Sequence, residues 1–104
     1  MRKRIDMRTS LNDGVLTLYP EGYVDSKNAE EFSKETMAAM DAAPGASVVI
    51  DMDKLEYLSS AGLRMLMKVI NRSKDTVKAV NVPQVIAEIF EITGFEDLMD
   101  VQKR

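Results

Sequence analysis

The five residues Ser59-Ser60-Ala61-Gly62-Leu63 stand between an apolar run, Val48-Val49-Ile50, and an apolar-faced helical stretch that begins at Leu63. Two hydroxyls at the entrance of a helix meet its free backbone N–H groups and the positive end of its dipole. A hydroxyl there accepts a hydrogen bond as a cap, or carries a phosphate that the helix end tolerates. Residue type and spacing leave both roles open.

Other chemistries are excluded by what is missing. The 104-residue chain has no cysteine, so no disulfide, thiolate nucleophile or Cys-ligated metal arises within it. It also has no histidine, which removes the usual general base near neutral pH and a common metal ligand. A Ser-His-Asp mechanism is impossible, and no serine is followed at the third position by lysine. Asp51 and Asp53 follow an apolar strand, where a phosphate-accepting aspartate would stand in a receiver domain. The first strand, however, lacks a terminal acidic pair and leads straight into a hairpin. The chain therefore reads as a binding module and not as an enzyme.

Composition narrows the class further. One domain over residues 1–104 fits the length, and the apolar fraction is ordinary for a packed core. Net charge is −3, and the few aromatics are not interleaved with Lys or Arg, so no nucleic-acid partner is expected. Arg2-Lys3-Arg4 leads into Ile5-Asp6-Met7 and not an apolar run, so no signal peptide is read. No stretch is long enough to insert into a bilayer, and the expected location is cytoplasmic. The eight methionines fall mostly on apolar faces, where filling the core is their usual work.

The elements that must position the serines are set by periodicity and turn chemistry. Residues 3–9 alternate as an edge strand, Asn12-Asp13-Gly14 turns the chain, and residues 15–19 return. The cluster Ser26-Lys27-Asn28, with Glu30 and Glu31 next, starts a helix that runs to about Ala42. Its expected apolar face is Ala29, Phe32, Met37 and Met40, and Pro44-Gly45 ends it. Residues 47–52 predict a strand buried on both faces. Leu63, Leu66, Met67 and Ile70 predict the buried stripe of the second helix, with Arg64, Lys68 and Asn71 opposite. Residues 76–80 predict a strand, and Asn81 and Pro83 open a third helix with the stripe Val82, Val85, Ile86, Ile89 and Phe90. Gly94 stops it, and residues 95–101 close with a short turn of helix and a last strand. The order β-β-α-β-α-β-α demands a mixed α/β sheet: an opening antiparallel hairpin, later parallel strands, and helices packed on it around one core.

Taken together, Gly22-x-x-Asp25, residues 48–52, Leu55-x-Tyr57-Leu58-Ser59-Ser60-Ala61-Gly62-Leu63, Asn81-Val82-Pro83 and Thr93-Gly94-Phe95 resemble a STAS domain. Within that family the chain is most similar to the single-domain bacterial anti-sigma factor antagonists. The similarity runs from about residue 5 to residue 101, nearly the whole chain.

The family's helix-entry motif is typically Asp-Ser-Ser/Thr-Gly-Leu, and its first serine is phosphorylated by a partner kinase. Registering on Gly62-Leu63 places Ser60 at the phosphoacceptor position, with Ser59 as the alternative and otherwise as the helix cap. Ser59 stands where the family often has Asp, and Ala61 where it often has Ser or Thr. The resemblance implies that the unmodified protein binds an anti-sigma factor, often itself a serine kinase, and so releases a sigma factor. Phosphorylation cancels the binding, and a serine phosphatase is a further implied partner. The implied contact surface is Asp25, Tyr57, Ser59, Ser60, Ala61 and Arg64. No cofactor is expected on this chain, because ATP would bind to the kinase. The alternative use of the same fold is as a subunit or scaffold of a membrane transport or stress-signalling complex, in which both serines are only caps.

Overall fold

The computed structural model describes residues 6–104. Residues 3–5 of the expected first strand, and the basic start, lie outside the described residues. The strand itself, β1, is Asp6–Asn12, and β2 is Val15–Val24. The two pair antiparallel through a two-residue turn, with Asn12 opposite Val15. Asp13 (φ 51°) and Gly14 (φ 77°) both take the left-handed conformation, which matches the twist of the strands they join.

Strand β2 is five residues longer than its sequence suggests, because it serves two partners along one edge. Residues 15–18 pair in parallel with β3, Ser47–Asp51, and residues 22–24 pair in parallel with β4, Leu55–Leu58. Within the β2–β4 pairing the register shifts between Gly22 and Tyr23; the Gly22 φ of 94° is one a side chain would resist, and its N–H donates to the Lys54 carbonyl. Strand β4 is absent from the expected order. The sheet continues through β5, Lys78–Val82, and β6, Asp100–Lys103, in the order β1-β2-β3-β5-β6 with β4 beside β2. The hairpin is antiparallel and every other pairing is parallel, as the mixed-sheet reading requires.

The helices are α1, Ala29–Ala42; α2, Ser60–Arg72; and α3, Gln84–Thr93, followed by a single 3₁₀ turn at Phe95–Asp97. They pack on one face of the sheet. Leu16, Leu18, Val48, Ile50 and Ala79, which share that face by register, are buried with Phe32, Leu66, Val69, Ile86 and Phe90. Val15, Thr17, Val49 and Asp51 alternate with them and are only half-buried, so β3 is covered on one face, not on both as expected. Among the described residues, no helix is long and apolar enough to cross a membrane.

Three stripes shift from the expected ones. On α1, Thr36 and Ser33 are buried while Met37 is only half-buried; Thr36 is fully enclosed, with its hydroxyl directed to the Met7 sulfur at 3.7 Å. On α2 the buried face is Gly62, Met65, Leu66 and Val69, with Leu63, Met67 and Ile70 at its margin. On α3 the buried residues are Ile86, Ala87 and Phe90, and Val85 and Ile92 point outward. Asn81 and Val82 belong to β5 and not to the helix, and Pro83 sits at the cap position.

Candidate functional site

Parallel pairing of β2 with β4 sets the candidate site, because two parallel neighbours deliver their outgoing loops to the same edge. Tyr23 lies opposite Tyr57 and Val24 opposite Leu58, so Asp25 and Ser59 leave the sheet side by side. The Ser59 N–H donates to the Val24 carbonyl at 2.9 Å, extending the ladder by one bond. The two strands end alike, with Tyr23-Val24-Asp25 matching Tyr57-Leu58-Ser59, and each closing residue caps the next turn of the chain.

Asp25 does so with its carboxylate. Its Oδ1 accepts from the Lys27 and Asn28 N–H groups at 2.9 and 3.1 Å, and its carbonyl accepts from Ala29. Asn28, buried at 7% exposure, reciprocates: its Oδ1 accepts from the Asp25 N–H at 2.8 Å, and its Nδ2 donates to the Tyr23 carbonyl at 2.9 Å. The cluster Ser26-Lys27-Asn28 therefore does not supply a helix-capping side chain for α1. Asp25 and Asn28 lock a turn in front of it instead, and Ser26 and Lys27 are exposed.

Ser59 is the N-cap of α2. Its backbone is extended (φ −81°, ψ 176°), its Oγ accepts from the Gly62 N–H at 3.2 Å, and its carbonyl accepts from Leu63 at 2.9 Å. Ser60 is the first helical residue and is exposed, and its hydroxyl makes no hydrogen bond with the described residues. The pair has divided its work: one oxygen is committed to the fold, and the other faces outward. Replacing Ser59 with Ala is expected to lower stability by about 1 kcal/mol in urea denaturation, the usual worth of a cap. An unchanged midpoint would show that the bond contributes nothing.

The remaining expected residues fall around Ser60. Tyr57 is exposed (48%), Ala61, the second residue of α2, is half-buried, and Arg64 is exposed one turn along the helix. Of the six expected contact residues, Asp25, Tyr57 and Ser59 stand at the shared end of β2 and β4, and Ser60, Ala61 and Arg64 follow in the first turns of α2. Tyr23, exposed at 41% and opposite Tyr57, is a further member that sequence reasoning missed. Its signal was the repeated Tyr-aliphatic-cap ending of the two strands. Two neighbouring exposed phenol rings offer apolar contact area with polar tips, the kind of surface that protein partners bury. Among the described residues, no group of three or more His, Cys, Asp or Glu could hold a metal ion.

The STAS domain family matches this chain over residues 6–104. BtrV of Bordetella bronchiseptica, provisionally named an anti-sigma factor antagonist, is 34% identical to it over 92 residues, which is 86% of this chain and 78% of that protein. An anti-sigma-B factor antagonist of Staphylococcus aureus is 24% identical over 102 residues, 95% of this chain and 94% of that protein. The crystal structure of an anti-sigma factor antagonist from Mycobacterium paratuberculosis superposes with a TM-score of 0.85 at 20% identity. That alignment covers 96% of this chain and 86% of the other, and shows a shared fold.

Proposed function

The chain belongs to the STAS domain family, and from that premise we propose that it is an anti-sigma factor antagonist switched off by phosphorylation of Ser60. In its unmodified form it docks the edge formed by Asp25, Tyr57, Ser60, Ala61 and Arg64 onto an anti-sigma factor that is itself a serine kinase, and the sigma factor is released. The kinase then transfers phosphate: Ser60 Oγ attacks the γ-phosphorus of ATP, the hydroxyl proton passes to a base on the kinase, and the bond to ADP breaks. A serine phosphatase reverses the step by hydrolysis.

The single observation that carries this reading is the division between the two serines. A kinase needs a hydroxyl that reaches solvent and whose loss does not open the fold. Ser60 meets both demands, whereas Ser59 Oγ already accepts from the Gly62 N–H. The modified residue also sits where two N–H groups, those of Ser60 and Ala61, lack intrahelical partners and the dipole favours negative charge. The fold should therefore survive phosphorylation, and the effect should fall on the docking edge.

The test is incubation of the full chain with an anti-sigma factor kinase and ATP, then intact-mass measurement and peptide mapping. One phosphate on Ser60, abolished by Ser60→Ala and retained by Ser59→Ala, is the expected result. Phosphate on Ser59 would overturn the assignment. Capture of a membrane transport subunit in place of an anti-sigma factor would overturn the function.

A further inference from the structure

We propose that Arg64 is the intramolecular ligand of the Ser60 phosphate, so that modification both adds a dianion to the docking edge and withdraws a cation from it. This inference rests on the reading of Ser60 as the phosphoacceptor and concerns what happens after the phosphate arrives.

Four arginines lie among the described residues, and three have a carboxylate: Arg8 pairs with Glu21, Arg72 with Asp41, and Arg104 with Asp53. Arg64 makes no ion pair or hydrogen bond with the described residues. Its own helix explains this. The residues three and four positions away are Ser60, Ala61, Met67 and Lys68, with no acid among them. Arg64 is thus an exposed cation whose helical neighbour at i−4 is the proposed phosphoacceptor.

That spacing is the favourable one. Side chains four apart on a helix have Cβ atoms about 5–6 Å from each other, and an anion N-terminal to a cation is the better order. A long guanidinium side chain spans such a gap easily, and its planar fork matches two phosphate oxygens at once. Phosphate at Ser59 has no such partner, since its i+4 residue is Leu63. In the unmodified protein the Arg64 side chain is open to a docking partner on the Tyr57–Ser60 edge; in the modified protein it is held by its own helix.

The test needs no kinase. The full chain is made with phosphoserine installed at position 60 and ¹⁵N label, and the arginine Nε–Hε signals are compared with those of the unmodified chain. The Arg64 signal is expected to shift and to exchange with solvent about threefold more slowly, the protection of a surface charge-assisted pair, while Arg72 and Arg104 stay put. Phosphorylation should also raise Tm about 3 °C more in the parent chain than in Arg64→Gln, with Arg64→Lys between them. The difference should collapse in high salt. An unmoved Arg64 signal, or the same shift with phosphoserine at 59, would overturn the proposal. Kinase mapping tests the reading of Ser60 separately, since installed phosphoserine bypasses the enzyme.

Discussion

Phosphorylation of Ser60 is expected to weaken binding to the anti-sigma factor about 100-fold or more while leaving the fold intact. The modification adds roughly −1.5 to −2 charges near neutral pH. In the free protein that charge stays at the surface, favoured by the two open N–H groups at the start of α2 and paired with Arg64 as inferred above. In the complex it must lose water against a surface that fitted a small hydroxyl. Desolvation of a charged group without new cationic partners costs several kcal/mol, and about 1.4 kcal/mol is a factor of ten in affinity. Ser60→Asp carries one charge on a shorter arm, and a loss of roughly tenfold is expected from it. Ser60→Ala should bind like the unmodified chain. Calorimetric titration of the four proteins against the anti-sigma factor reads this order directly. Equal affinities for the modified and unmodified forms would end the switch hypothesis, whatever the kinase does.

The mechanism asks little of the fold beyond presentation, and this explains which features the sequence makes legible. The hairpin is readable because Asp13-Gly14 accepts the left-handed conformation at both central positions, a local property. The cap is readable too, since registering on Gly62-Leu63 points to Ser60 and leaves Ser59 as the cap, and the structure has Ser59 Oγ accepting from the Gly62 N–H from an extended backbone. Strand β4 is hidden because Leu55–Leu58 is four residues long and buries only its ends, which is not the alternation of a half-covered strand. Its partner, the far half of β2, is equally invisible, because Pro20 and Gly22 are residues that weaken a strand signal. Tertiary pairing decides both. The stripe of α2 is ambiguous for a different reason. Apolar residues at 63, 65, 66, 67, 69 and 70 support two overlapping faces, and periodicity cannot choose between them. Close contact at Gly62 chooses.

That contact underlies the largest stability effect expected of a substitution at the site. Gly62→Val should destabilise the protein by about 3 kcal/mol, at the upper end of the cost of overpacking a core. A Cβ built at Gly62 would lie 2.9 Å from Leu58 Cδ2 and 3.1 and 3.3 Å from Val24 Cγ1 and Cβ. The Leu58 methyl is the tip of a flexible chain and can swing aside. Val24 cannot: it is fully buried, β-branched, and in the strand that pairs with β4. Alanine at 62 therefore meets a moderate squeeze, offset by roughly 1 kcal/mol of helix propensity gained over glycine. Valine adds two γ-carbons where there is no room, and its own propensity gain is smaller. Relief requires the first turn of α2 to lift from β2 and β4, which would carry Ser60 away from Asp25 and Tyr57. Urea denaturation and anti-sigma factor titration should consequently report losses together for Gly62→Val, with Gly62→Ala close to the parent in both. A valine variant as stable as the parent would mean that the helix entrance is held by its Ser59 cap alone, and that the docking edge tolerates a displaced Ser60.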